Sequence, residues 1–414
     1  MKKVLVIGGG PELTNFEEFI VNTNDYEFFS VSVIPPTFGD LMKKSIIVDF
    51  RNWGETISSI KNMQINFDFL ICLDEALTHI ADNIAKELSL IPLSKFNSQP
   101  FKYKDRMRIV CEAHGINTPK YKIINDYKNS EQLINWNYPL IVKPTSFLAS
   151  IGVKKVESFK ELQAQVNQQL NIKFPLYFDK TYELGELYSL ENRVIVEEFI
   201  DGEEYSLESI VTKNEYKVIG ITKKITHEID FMDEVGHIFP AQIPNHLKEK
   251  IEQWGQALHH ALGIVNTVTH AEFRIDKKNN IYLIEIGARI GGDNISELIR
   301  YNSDNNFNFF EAYLKSREGK IYSHVLGKKF VGIAFIKVPT NAYGKIFESL
   351  TIPKITNTST IIKNEYMLKK GTVLPSPINW SNERIGYIIL ENQSYDDLND
   401  DILNIISNTR VNTK

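Results

Sequence analysis

Residues 269–293, THAEFRIDKKNNIYLIEIGARIGGD, constrain this chain more than any other stretch. Two runs of alternating apolar residues flank the polar turn DKKNN, the pattern of two antiparallel strands joined in a hairpin. Each run holds one carboxylate among apolar neighbours, Glu272 in HAEFRI and Glu285 in YLIEIG. Such a hairpin brings the two acids side by side on one face, pointing inward. Two buried carboxylates without a cation are costly, so the pattern calls for positive charge beside them. Oxygen-ligated Mg2+ bridging to phosphates meets that need. A structural ion pair with Arg289, four residues beyond Glu285, is the alternative. Gly291 and Gly292, followed by Asp293, permit close backbone approach and mark a substrate-contacting loop.

Two upstream stretches point the same way. Lys143 ends the apolar run of YPLIVKP and is followed by the small-residue loop 145–152. A lysine beside such a loop reads as a cation reaching a nucleotide phosphate. Loop amides, with the hydroxyls of Ser146 and Ser150, would cover the remaining oxygens. An exposed edge lysine is the plainer alternative. In VIVEEFIDGEEY, Glu197-Glu198 and Glu203-Glu204 sit on adjoining strands and repel one another unless spent on donors. An adenine amine and ribose hydroxyls are donors of that kind, and a solvated acidic hairpin is the alternative.

The N-terminal VLVIGGGPEL looks at first like a dinucleotide turn. It lacks the final glycine of G-x-G-x-x-G, and the next strand ends in VSVIPP with no carboxylate for a ribose. A tight strand-to-helix turn is the better reading, with Pro11 in the first helical position. The segments KVLVIG, FFSVSVI and FDFLICL alternate with helical periodicity, so 1–98 is expected to be a βαβ, Rossmann-like domain with a parallel sheet. Residues 99–322 carry the site residues, with a mobile lid subdomain at about 119–196, and 323–414 reads as a C-terminal β-rich domain. The fold class is thus α/β and α+β, multidomain. A length of 414 residues fits two or three domains. A net charge of −5 without a basic run argues against nucleic acid. No run approaches a membrane span, and the apolar Val4–Ile7 stops well short of a signal peptide. Only two cysteines occur, Cys72 and Cys111, which fits a reducing cytoplasm.

In the order and spacing of these elements, residues from about Phe101 to Asn294 resemble the ATP-grasp carboxylate–amine ligases. The preceding βαβ region resembles that family's usual N-terminal domain. The resemblance implies that Lys104 and Lys143 are the two ATP lysines and that Glu197 faces the adenine amine. Glu198 and Ile200 would contact the ring through backbone, Glu204 would bind the ribose, and Glu272 and Glu285 would ligate Mg2+, for which Mn2+ is a substitute. Where the family commonly has E-x-N, this chain has Glu285-Ile286-Gly287, and glycine offers no side-chain ligand. The stretch EIGARIGGD and the C-terminal VGIAFIKVP instead resemble the L-amino acid ligase (dipeptide synthetase) branch. There, an arginine matching Arg289 stabilises the acyl phosphate.

The implied activity is ATP-dependent joining of a carboxylate, that of an amino acid, to an amine through an acyl phosphate, with release of ADP and phosphate. Small-molecule carboxylate and amine partners follow, and a homodimer is compatible. Two other outcomes stay open: an ATP-grasp enzyme with another acceptor (a carrier-protein thiol or bicarbonate), and a non-catalytic nucleotide-binding protein.

Overall fold

Strand β1 (Lys2–Ile7) is an apolar run whose residues 4–7 are fully buried, as expected of a parallel strand covered on both faces. The structure is a computed structural model. It describes residues 1–8, 14–33, 35–36, 39–146, 150, 152–171, 193–227, 233–323, 325–355, 357–375 and 384–414. After β1 come α1 (Thr14–Asn22), β2 (Tyr26–Ser32), β3 (Lys44–Ile47), α2 (Trp53–Lys61), β4 (Phe69–Cys72) and α3 (Thr78–Glu87). The sheet order is β3-β2-β1-β4 and every pairing is parallel, so the expected Rossmann-like alternation is present. β1 ends at Gly8, φ +84°, where an added Cβ would lie 2.9 Å from the Asp74 Cβ. Only glycine fits both the left-handed backbone and the close turn after β4. The rest of the glycine turn, with Pro11, lies outside the described residues.

The next region holds α4 (Lys104–Ala113), β5 (Tyr121–Ile124), β6 (Leu140–Pro144), β7 (Lys154–Val156), α5 (Phe159–Leu170) and β8 (Val194–Glu198). Its strands form a small antiparallel sheet in the order β5-β8-β6-β7. Ser158 caps α5 by accepting from the Glu161 amide. Behind the sheet, Leu140, Val142, Leu162, Val166, Val194 and Val196 make a separate apolar core.

Then come β9 (Gly202–Val211), β10 (Tyr216–His227), β11 (Asp233–Phe239), α6 (Asn245–Ala261), β12 (Thr267–Asp276) and β13 (Ile281–Gly287). They are followed by α7 (Ile295–Asn302), α8 (Phe309–Arg317), β14 (Phe330–Lys337), β15 (Phe347–Thr351), β16 (Thr360–Tyr366), β17 (Arg384–Asn392), α9 (Tyr395–Asn408) and β18 (Arg410–Thr413). One sheet runs β13-β12-β9-β10-β11-β14-β17-β16. Three C-terminal strands therefore extend the sheet that carries the hairpin, and α9 covers them with Leu398, Ile402 and Ile405. A continuous apolar cluster joins Leu5, Ile7 and Leu77 of the first region to Phe101, Met107, Phe273 and Leu283. That shared core fixes the turn after β4 against the hairpin. Among the described residues, no helix is long and apolar enough to cross a membrane.

Candidate active site

The hairpin forms as its alternation implies, and the β12–β13 register sets Glu272 opposite Glu285. Each carboxylate already has a cation. Lys224 Nζ donates to Glu272 at 2.5 Å and also to Glu234 at 2.5 Å. His270 donates from Nε2 to Glu272 at 3.0 Å and from Nδ1 to Glu208 at 2.7 Å. Burial opposes the imidazolium, but Glu208 and Glu272 outweigh it and push His270 up to about 9. Burial likewise opposes the Glu272 carboxylate, and Lys224 and His270 overcome it, holding its pKa well below the ordinary range. Glu285 accepts from Lys104 Nζ at 2.7 Å. Burial, with Glu75 and Glu272 nearby, pushes Glu285 up to about 7 in spite of that lysine.

The small sheet brings a second charged group to the same seam. Glu197 takes Lys143 Nζ at 2.7 Å and Arg108 at 2.8 Å, with all three side chains almost fully buried. Arg108 also donates to the Ile284 carbonyl of β13 at 3.0 Å, and the Lys104 amide donates to the Thr145 carbonyl at 2.8 Å. These bonds tie the two antiparallel sheets together. Burial keeps the Lys143 ammonium below its ordinary value even beside Glu197.

Protein groups serve both acid pairs in this structure. Glu197 is held by Arg108 and Lys143, and Glu198 accepts from the Lys120 amide at 2.8 Å. Glu203 takes Lys223 at 2.8 Å, and Glu204 faces Arg274 at 3.7 Å. For Glu197 the physical reason is burial: an acid this deep needs a partner in the folded chain whether or not a ligand comes. Ile200 is buried next to this strand junction.

Glu204 lies beside acids of β11 and β12. Its carboxylate and those of Glu234 and Glu272 lie within 4.8 Å of one another, as do ligand atoms of Glu234, His237 and Asp293. Burial pushes the Glu204 carboxyl up. Asp293 is paired with Arg384, whose Nη2 lies at 3.0 Å, and His237 Nε2 sits 3.3 Å from Glu234 and 3.6 Å from Asp293. The turn holding Gly291 and Gly292 packs tightly at the first of them, where a Cβ would lie 2.8 Å from His270 Nδ1.

Arg289 pairs with Glu75, not with Glu285. The side chain runs over Gly287, where a Cβ would stand 3.2 Å from Arg289 Cγ and 3.4 Å from its Nε. The missing metal ligand and the arginine are therefore two sides of one exchange. Ser146 is buried behind Lys143 and Ser150 is partly exposed, while loop residues 147–149 and 151 lie outside the described residues. Glu75, Arg108 and Lys224 were not legible as site residues, because each meets its partners only across strand pairings or between distant segments, and Glu234 and His237, three apart on β11, carry no motif of their own. The histidine two positions before Glu272 was the one local signal.

Comparison with known proteins agrees with this geometry. Residues 136–297 match the family model described as ATP-grasp domain. The chain is 30% identical over 207 residues to the alanine–anticapsin ligase of Bacillus subtilis, covering 46% of this chain and 42% of that one. It is 28% identical over 228 residues to the D-alanine–D-alanine ligase of Thermosipho africanus, covering 50% and 55%. The chain thus spans about half the length of the curated relatives it matches. The crystal structure of L-amino acid ligase from Bacillus licheniformis superposes over 100% of this chain and 99% of that one, with a TM-score of 0.80 at 20% identity. With residues 136–297 matching that family model, the chain as a whole has the ATP-grasp fold.

Proposed function

We propose that the protein is an ATP-dependent, ADP-forming carboxylate–amine ligase akin to the L-amino acid ligases, acting on small amino-acid substrates. The observation that carries this reading is the convergence of Lys143, Lys104 and Arg289 with inward carboxylates at the seam of two antiparallel sheets. A carboxylate is a poor electrophile until its oxygen becomes part of a good leaving group. In the first step a substrate carboxylate oxygen attacks the γ-phosphorus and the bond to the ADP oxygen breaks. In the second, the amine nitrogen attacks the acyl carbon, and the C–O bond breaks with its electron pair leaving on phosphate. The nitrogen sheds its proton to solvent or to a substrate group. Such chemistry asks mainly for positioning and for charge opposite the spreading negative charge.

The residues divide those tasks. Lys104 and Lys143 meet the ATP phosphates, and the backbone of Glu198 and Ile200, where β8 leaves the small sheet, takes the adenine ring. The Glu197 carboxylate holds Lys143 in place and Glu204 lies toward the ribose and phosphates. Arg289 meets the acyl phosphate. Asp293, Glu234 and the Gly291-Gly292 turn face the substrate ammonium. Glu272 and Glu285 would hold Mg2+, which when bound draws charge from the phosphate oxygens. The donor set fits that ion, since both acids are carboxylates in register and each is now neutralised by an ammonium group that an incoming cation can replace. The small sheet serves as the lid. Two buried free thiols, Cys72 and Cys111, fit a cytoplasmic enzyme.

Pairs of amino acids are to be screened for phosphate release with ATP and Mg2+, and the products weighed by mass spectrometry. The reading predicts one amide per phosphate for at least one pair. A thioester on a carrier protein or a carboxylated product would replace it with the other acceptor class.

A further inference from the structure

Arg289 is assigned to the reacting phosphoryl group, but nothing in its own strand aims it. Its side chain leaves the chain just after β13 and crosses the bare backbone of Gly287. Nη1 donates to the adjoining Ile290 carbonyl at 2.7 Å, and Nη2 donates to Glu75. The Nε–H is buried and has no acceptor among the described residues. A guanidinium fixed only by its neighbour's carbonyl would still turn about its stem. A carboxylate facing one edge sets the plane of the whole group, because the donors form a rigid fork.

Glu75 is well placed for that task. It opens a single 3₁₀ turn, residues 75–77, whose first free amide is capped by Asp74 at 2.9 Å. Ala76 and Leu77 anchor the turn in the core shared by the first region and the hairpin. The glutamate therefore reaches the hairpin from another domain on a rigid support, and the side chains of Glu75 and Arg289 are both largely buried, at 14% and 15% exposed.

We propose that Glu75 is the positioning residue for Arg289, presetting the guanidinium for the acyl phosphate and tying the N-terminal domain to the chemical step. This inference rests on the reading of Arg289 given above. It assigns Glu75 no contact with substrate. Loss of its carboxylate then loosens the arginine without removing it, so the rate suffers while ATP binding does not.

The test is a double-mutant cycle of Glu75→Ala and Arg289→Ala, read as kcat and as KM for ATP in ATP-dependent phosphate release. Glu75→Ala should lower kcat roughly tenfold or more with KM for ATP within about twofold. Glu75→Asp, which keeps the charge, should recover part of the rate. In the Arg289→Ala background, Glu75→Ala should change kcat less than about twofold, because the residue it acts through is gone. Additive losses would overturn the proposal, and so would a Glu75→Ala enzyme with unchanged kcat. The cycle reads any turnover, whichever acceptor is used. An amide-forming wild type with an additive cycle would therefore sink this inference alone, and a wild type making another product would sink only the amide reading.

Discussion

Glu272 and Glu285 face each other across the β12–β13 hairpin, and each is neutralised by a lysine of its own, Lys224 for the first and Lys104 for the second. On the proposed function the pair is a Mg2+ site, and an incoming ion would displace these ammonium groups. Glu285→Gln keeps the shape and the hydrogen bond to Lys104 but removes one metal-binding charge. Turnover at saturating Mg2+ is expected to fall by about two orders of magnitude or more, on the order of 3 kcal/mol of transition-state stabilisation. Circular dichroism should show the fold unchanged. Near-normal phosphate release would refute the metal assignment.

Arg289→Ala should damage the rate far more than ATP affinity. Charge that develops on the acyl phosphate strengthens its contact in the transition state, so a loss of roughly 100-fold in kcat is expected with little change in KM for ATP. Steady-state kinetics with ATP varied would separate the two. An unchanged kcat with a raised KM would make Arg289 a nucleotide-binding residue instead.

Gly287 lies beneath that arginine. Gly287→Ala would put a methyl group 3.2 Å from Arg289 Cγ and 3.4 Å from its Nε, tight enough that the side chain must move. Activity should drop in the manner of Arg289→Ala, though less severely, by about tenfold, while thermal stability changes little. Wild-type kinetics in this variant would show that the orientation of the guanidinium does not matter.

The hairpin was legible because its alternation runs through strands of ten and seven residues, and β1, β4, β6 and β8 because each holds a run of apolar residues. The C-terminal region was harder. α9 is capped by Ser394 and has acidic residues in its first turn, a readable start, but its setting among β-branched strands favoured a β-rich reading. α8 lies so deep that Phe309, Phe310, Tyr313 and Leu314 leave no clear polar face. The site was half legible. Glu272, Glu285 and Lys143 declare themselves by local pattern, and Lys104 only through the family resemblance. Arg108 and Glu75 do not, because their partners stand 89 and 214 residues away in the chain. Glu197 shows the converse fault: the motif was visible, but the buried cations that satisfy it were not.

Stability should fall on acidification. His259 is buried between the Gly255 carbonyl and the Thr269 hydroxyl, and burial pushes its pKa down from 6.5 to about 4. His79 is pushed down to about 3, by burial and by Lys102. The unfolded chain thus takes up protons below pH 6.5 that the folded chain refuses, which favours unfolding as pH drops toward 4. For His259 alone the effect reaches about 3 kcal/mol at about 1.4 kcal/mol per pH unit. Thermal melts between pH 8 and pH 4 should show Tm falling below about 6.5, and the slope should flatten in His259→Gln. A slope identical to wild type would mean that His259 is not the group responsible.

The claim on which the rest depends is that this site makes an acyl phosphate, and oxygen transfer reports on it directly. The substrate acid is to be labelled with 18O in its carboxylate and turned over with ATP, Mg2+ and the amine. The released phosphate is then analysed by mass spectrometry or 31P NMR. The account predicts one 18O atom in each phosphate formed, because the carboxylate oxygen that attacks the γ-phosphorus leaves with it. Phosphate free of label, with both oxygens still on the acid, would contradict it.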